Sequence, residues 1–115
     1  SSAVLGKIKN SGEYQYRYLD RVIVKGRKNS IEIYEILNPE PEKIRENKLL
    51  TLEDYKKAIN FYMAGQMQNA LEIFLEVKDK SPDDLATGLY INRIREYLKK
   101  GVPENWDGIF EMTSK

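Results

Sequence analysis

The sequence predicts an α+β fold, mainly α: a short N-terminal helix and a β-hairpin, followed by an antiparallel helical hairpin with a third, capping helix. Three observations carry this. Apolar residues alternate with polar ones up to Leu37 and recur at helical spacing from Leu52 onward. Pro39 and Pro41 stand between the two patterns and forbid a continuous strand or helix there. Charge divides at the same join, with seven basic and four acidic residues in 1–37 against 12 and 14 in the remainder.

In the first part, residues 2–9 place Ala3, Val4, Leu5 and Ile8 in a pattern compatible with a short helix. Tyr14, Tyr16 and Tyr18 then alternate with Gln15, Arg17 and Leu19, as on the two faces of a strand. Residues 21–24 and 31–36 are β-branched runs, and Gly26 to Ser30 supplies the turn between them. A two-stranded hairpin is marginal in water and its edge invites pairing. Val22, Ile23, Val24, Ile31, Ile33 and Ile36 need cover, so self-association is expected, as a homodimer or by strand exchange.

Residues 38–50 read as a linker with room for a short helix. Thr51 is a good N-cap, with Asp54 three places on, and Leu52, Tyr55, Ile59, Tyr62 and Met63 share one helical face. Ala64-Gly65-Gln66 breaks that run. A second helix over residues 68–79 turns Ala70, Leu71, Phe74 and Val77 inward. Ser81-Pro82-Asp83-Asp84 reads as the next helix start, capped by Ser81, and Gly101 as its stop. The tail carries Trp106, Ile109 and Phe110, which are expected to pack back.

Composition removes whole classes of chemistry. The 115 residues suffice for one compact domain, and 41% hydrophobic with 32% charged is ordinary for a folded protein. The chain has no Cys, hence no disulfide, thiolate nucleophile or cysteine-built zinc site, and no His to act as base or metal ligand. A net charge of +1 gives no global pull toward nucleic acid or anionic membrane. In the hairpin, Tyr14, Tyr16 and Tyr18 could stack on bases while Arg17, Arg21, Lys25, Arg27 and Lys28 meet phosphates. Glu13, Asp20, Glu32 and Glu35 interrupt that surface, so no nucleic acid is expected. No apolar run reaches the roughly 18 residues of a membrane span and residues 1–20 hold no signal-peptide core, which points to a cytoplasmic protein.

The helical part resembles the tetratricopeptide repeat. With Glu53 at the third place, Ala58, Phe61, Gly65, Ala70, Phe74, Val77 and Pro82 fall at places where that repeat carries small, aromatic and proline residues. Asp54 departs from the large apolar residue usual at its place, and Gly88 and Asn92 fail to start a second repeat. The third helix therefore reads as a cap. Leu52, Tyr55, Lys56, Ile59 and Met63 form a face for core docking or for a protein partner.

A further resemblance covers nearly the whole chain. Tyr18-Leu19-Asp20-Arg21-Val22-Ile23-Val24-Lys25-Gly26-Arg27, followed by Ile31-Glu32-Ile33-Tyr34-Glu35-Ile36-Leu37, is similar to the last strands of class III adenylate or guanylate cyclases. The helical motif and the ending from Trp106-Asp107-Gly108 to Lys115 are similar to a C-terminal extension of some bacterial members. The resemblance implies that Lys25 contacts the substrate triphosphate, with Gly26 allowing close backbone approach. It also implies Mg²⁺ or Mn²⁺ in the full-length parent, on aspartates that lie on earlier strands. The expectation is thus a C-terminal cyclase fragment, catalytically incomplete: residues 1–37 end the catalytic domain, and 51–115 form a regulatory or protein-interaction extension. The alternative is an autonomous tetratricopeptide-like interaction module with no catalytic role.

Overall fold

The structure, a computed structural model, describes residues 15–37 and 40–112. The short helix expected over residues 2–9, and Tyr14, lie outside the described residues. The fold is α+β and mainly α. The chain divides into two compact units, one made of residues up to 40 together with 109 onward, the other of residues 41–108.

The strand unit contains β1 (Tyr16–Val24), β2 (Ile31–Ile36) and β3 (Phe110–Met112), in the order β2-β1-β3. β1 and β2 are antiparallel, pairing Arg17 with Glu35 and Val22 with Ile31. The register shifts between Tyr18 and Asp20, so Leu19 is an extra residue on β1. This bulge explains the burial pattern. Simple alternation would put Arg17 and Asp20 on opposite faces, but the extra residue returns both, with Val22, to one buried face. β3 runs parallel to β1 and pairs with Val22, Ile23 and Val24. The sequence reading stopped at a hairpin. The tail supplies a third strand, which pairs with Val22 to Val24 on the edge of β1 away from β2.

The helical unit holds α1 (Glu42–Leu50), α2 (Leu52–Met63), α3 (Met67–Lys80) and α4 (Leu85–Lys100). α2 ends in a Schellman pattern: the Gly65 N–H donates to the Tyr62 carbonyl at 3.0 Å and the Gln66 N–H to the Phe61 carbonyl at 2.9 Å. Gly65 has φ +80°, the left-handed conformation this stop requires. The chain then reverses, and Lys80 at the end of α3 lies 3.7 Å from Asp54 at the start of α2. The two helices are therefore antiparallel. Ala58 and Ala70 are fully buried and let them approach, while Phe74 meets Tyr55 edge-on at 5.8 Å. α4 covers this pair through Tyr90, stacked on Phe74 at 5.0 Å and edge-on to Tyr62 at 4.9 Å.

Two caps differ from the sequence reading. Thr51 joins α1 to α2, but its hydroxyl donates backward to the Asn47 carbonyl at 2.8 Å and makes no cap bond to α2. α4 begins at Leu85, not after Ser81, because Ser81 and Asp84 close a turn of their own at 3.0 Å. Asp84 is the N-cap. Its carboxylate accepts from the Thr87 N–H at 3.3 Å and the Thr87 hydroxyl at 2.9 Å.

Candidate functional site

The residues singled out by sequence sit where β1 ends. The Arg27 N–H donates to the Val24 carbonyl at 2.9 Å, closing a β-turn with Lys25 and Gly26 at its centre. Gly26 takes φ +90°, as the third residue of a type II turn must, and a Cβ there would meet no atom within 4 Å. Glycine is thus required for conformation, not for space. Lys25, Arg27 and Lys28 are all exposed. Arg21 steadies the loop's base, with Nε donating to the Ser30 Oγ at 3.2 Å and its N–H to the Asp20 carboxylate at 2.9 Å.

Beside the turn lies a cleft of about 600 Å³ lined by Val24, Gly26, Arg27, Lys28, Asn29 and Ile31. Lys25 is not among its lining residues. The family resemblance singles out Lys25 and Gly26, and the sequence places Arg27 and Lys28 with Arg17, Arg21 and Lys25 as cations able to meet phosphates. The signal that could have found the cleft was three cations within four positions beside an exposed Ile31.

The other hairpin residues are engaged in the sheet. Arg17 is buried, and its guanidinium pairs with the Glu35 carboxylate, so it is not part of an exposed cationic surface. Tyr34 receives Tyr18 edge-on at 5.7 Å and Tyr16 at 6.4 Å. Burial pushes the Tyr18 phenol well above the usual tyrosine range, and the Asp20 and Glu32 carboxylates add to that. Tyr34 is raised as well, by burial and then by Glu32 and Tyr16.

Among the described residues no three Asp, Glu, His or Cys side chains come together as a metal-binding group. The face proposed on α2 is altered by packing. Tyr55 and Ile59 are buried in the helical unit, which leaves Lys56 exposed and Leu52 and Met63 half-buried. Trp106 also packs within this unit. Its indole N–H donates to the Tyr62 carbonyl at 2.8 Å, and its ring lies edge-on to Tyr62 at 5.2 Å and packs on Tyr97 at 5.1 Å. Among the described residues no helix is long and apolar enough to cross a membrane.

Comparison with known proteins gives one informative relative. A curated protein described as "Adenylate cyclase, terminal-differentiation specific", from Dictyostelium discoideum, is 31% identical over 87 residues, which is 76% of this chain and 4% of that protein. Wherever a stretch of 87 residues falls on a chain of 115, it includes residues 29–87. It therefore takes in β2, α1, α2 and α3. The similarity relates the chain to an adenylate cyclase, and it runs from the sheet into the helices. No family model and no solved structure matches.

Proposed function

We propose that this chain is the C-terminal part of a class III nucleotide cyclase: the closing strands of a catalytic domain joined to a tetratricopeptide-like regulatory or protein-interaction extension. In the longer polypeptide the reaction converts ATP or GTP to a cyclic nucleotide and pyrophosphate. The observation that carries this reading is the similarity to an adenylate cyclase across residues 29–87, which joins strand and helices in one order. An autonomous interaction module would account for the helices and leave β2 unexplained.

Lys25 is the residue this reading assigns to the triphosphate. Its turn fixes the backbone, and the four-carbon stem leaves the exposed ammonium able to follow a polyphosphate and offset charge as pyrophosphate leaves. Mg²⁺ or Mn²⁺, held by carboxylates elsewhere in the longer polypeptide, would supply Lewis-acid stabilisation of the phosphates. Self-association of the parent, as a homodimer or by strand exchange, fits an active site shared between two such domains.

The test compares the 115-residue chain with the longer polypeptide, each assayed for cyclic product from ATP and GTP with Mg²⁺ or Mn²⁺. Product is expected from the longer polypeptide alone. Turnover that tracks the pure 115-residue chain, or an upstream sequence with no pair of strand-borne aspartates, overturns the reading.

A further inference from the structure

A helix that closes a helical pair turns a polar face outward. α4 does not. Its outer side carries Leu85 and Leu89 one turn apart, 83% and 50% exposed. We propose that this face is an interface between two copies of the chain, with the two α4 helices antiparallel across a two-fold axis at Leu89. The proposal concerns the helical unit by itself and stands without the cyclase reading.

Packing within the unit accounts for the other sides of α4. Ala86, Thr87, Tyr90, Ile91 and Ile94 are buried, and Tyr90 meets Phe74, Tyr55 and Tyr62. Leu85, the first residue of the helix, takes no part in that core. At helical spacing Leu85, Leu89, Asn92 and Glu96 form one stripe opposite the buried set, and all four are exposed. The chain that follows turns elsewhere. Gly101 stops α4 with φ +95°, and Trp106 packs on Tyr62 and Tyr97, toward α2.

Charge says what fits the stripe. Asp83 is exposed at the start of α4, beside the capping carboxylate of Asp84. The last two turns carry Arg95, Lys99 and Lys100 against Glu96, which Lys100 meets at 3.2 Å. A second copy laid parallel would set like ends on like. Laid antiparallel, it brings the basic end of each helix to the acidic start of the other, and the two helix dipoles oppose. A two-fold axis makes each of these contacts twice. With the axis at Leu89, position 83 falls opposite position 95. The two Leu89 side chains then meet, each flanked by the Leu85 of the other copy. One helix face is small beside a standard interface of about 1,600 Å², so the association is weak.

The test is sedimentation equilibrium of the full chain over about 10 μM to 1 mM. A reversible monomer–dimer equilibrium is expected. Leu89→Glu and Leu89→Lys should each raise Kd at least about tenfold, because like charges then face each other in place of two leucines. Mixing these two variants should return association to within about threefold of wild type, since opposite charges now face each other. Mixing Leu85→Glu with Leu85→Lys should restore little, because antiparallel helices hold those positions about 12 Å apart. Leu50→Glu, at an equally exposed leucine on α1, should leave association unchanged. All these side chains are exposed, so circular dichroism should show each variant folded. A monomer throughout the range, which would leave the face to a different protein, overturns the proposal. So does a dimer that survives Leu89→Glu, an equal loss from Leu50→Glu, or full restoration by the mixture at position 85.

Discussion

Trp106→Ala should destabilise the helical unit, and the structure sets the size of the effect. The indole N–H donates to the Tyr62 carbonyl at 2.8 Å, a second bond to an oxygen that also accepts from the Gly65 N–H at 3.0 Å. A hydrogen bond of this kind contributes about 1 kcal/mol net. The ring also contacts Tyr62 and Tyr97, and each aromatic pair adds roughly 0.5–1.5 kcal/mol beyond burial. Because the side chain is only half-buried, the sum belongs at the lower end, about 2–3 kcal/mol. Trp106→Phe keeps a ring and loses the donor, so it should cost about 1 kcal/mol. Urea unfolding followed by circular dichroism measures both. Trp106 is the sole tryptophan, so wild-type fluorescence gives an independent view of the same transition. A loss below about 0.5 kcal/mol for the alanine variant, or identical losses for both, would refute the packing of Trp106 on Tyr62 and Tyr97.

Two further perturbations probe the units separately. Tyr18 has its native phenol pKa raised above the value of 10.0 it has when unfolded, so its contribution is intact below pH 10 and is lost as pH rises further. Tyr18→Phe should therefore flatten the alkaline fall in melting temperature, and parallel profiles for the two proteins would contradict this. Asp84→Ala removes both bonds to Thr87 and should cost about 1–2 kcal/mol in urea unfolding, with Asp84→Asn recovering part of it. A loss no larger for alanine than for asparagine would remove Asp84 as the cap.

The helical half was largely legible because its signals are local. Apolar spacing placed α2 and α3 within a residue or two, and Gly65 and Gly101 marked the ends of α2 and α4. Ser81 misled because a serine before proline is a strong start signal, yet Asp84 binds Thr87 two ways and wins the cap. The sheet was harder. The Leu19 bulge shifts the alternation by one, so a period-two reading cannot foresee that Arg17 and Asp20 are both buried. β3 was invisible for a different reason. Three residues far along the chain pair with β1, and nothing local in Phe110-Glu111-Met112 specifies that partner. Lys25 and Gly26 entered through the family resemblance and the structure shows only their turn, whereas the cleft depends on the two strands bringing Ile31 and Val24 to line one space.

The most direct test of the central claim is the rate of cyclic-nucleotide formation by the longer polypeptide carrying Lys25→Ala, with Lys25→Arg beside it. A lost charge contact to the leaving phosphates predicts kcat/KM down by at least about tenfold for alanine, partly restored by arginine, in a protein that unfolds like the wild type. Unchanged kcat/KM in the alanine variant would remove Lys25 from the substrate's reach and contradict the account.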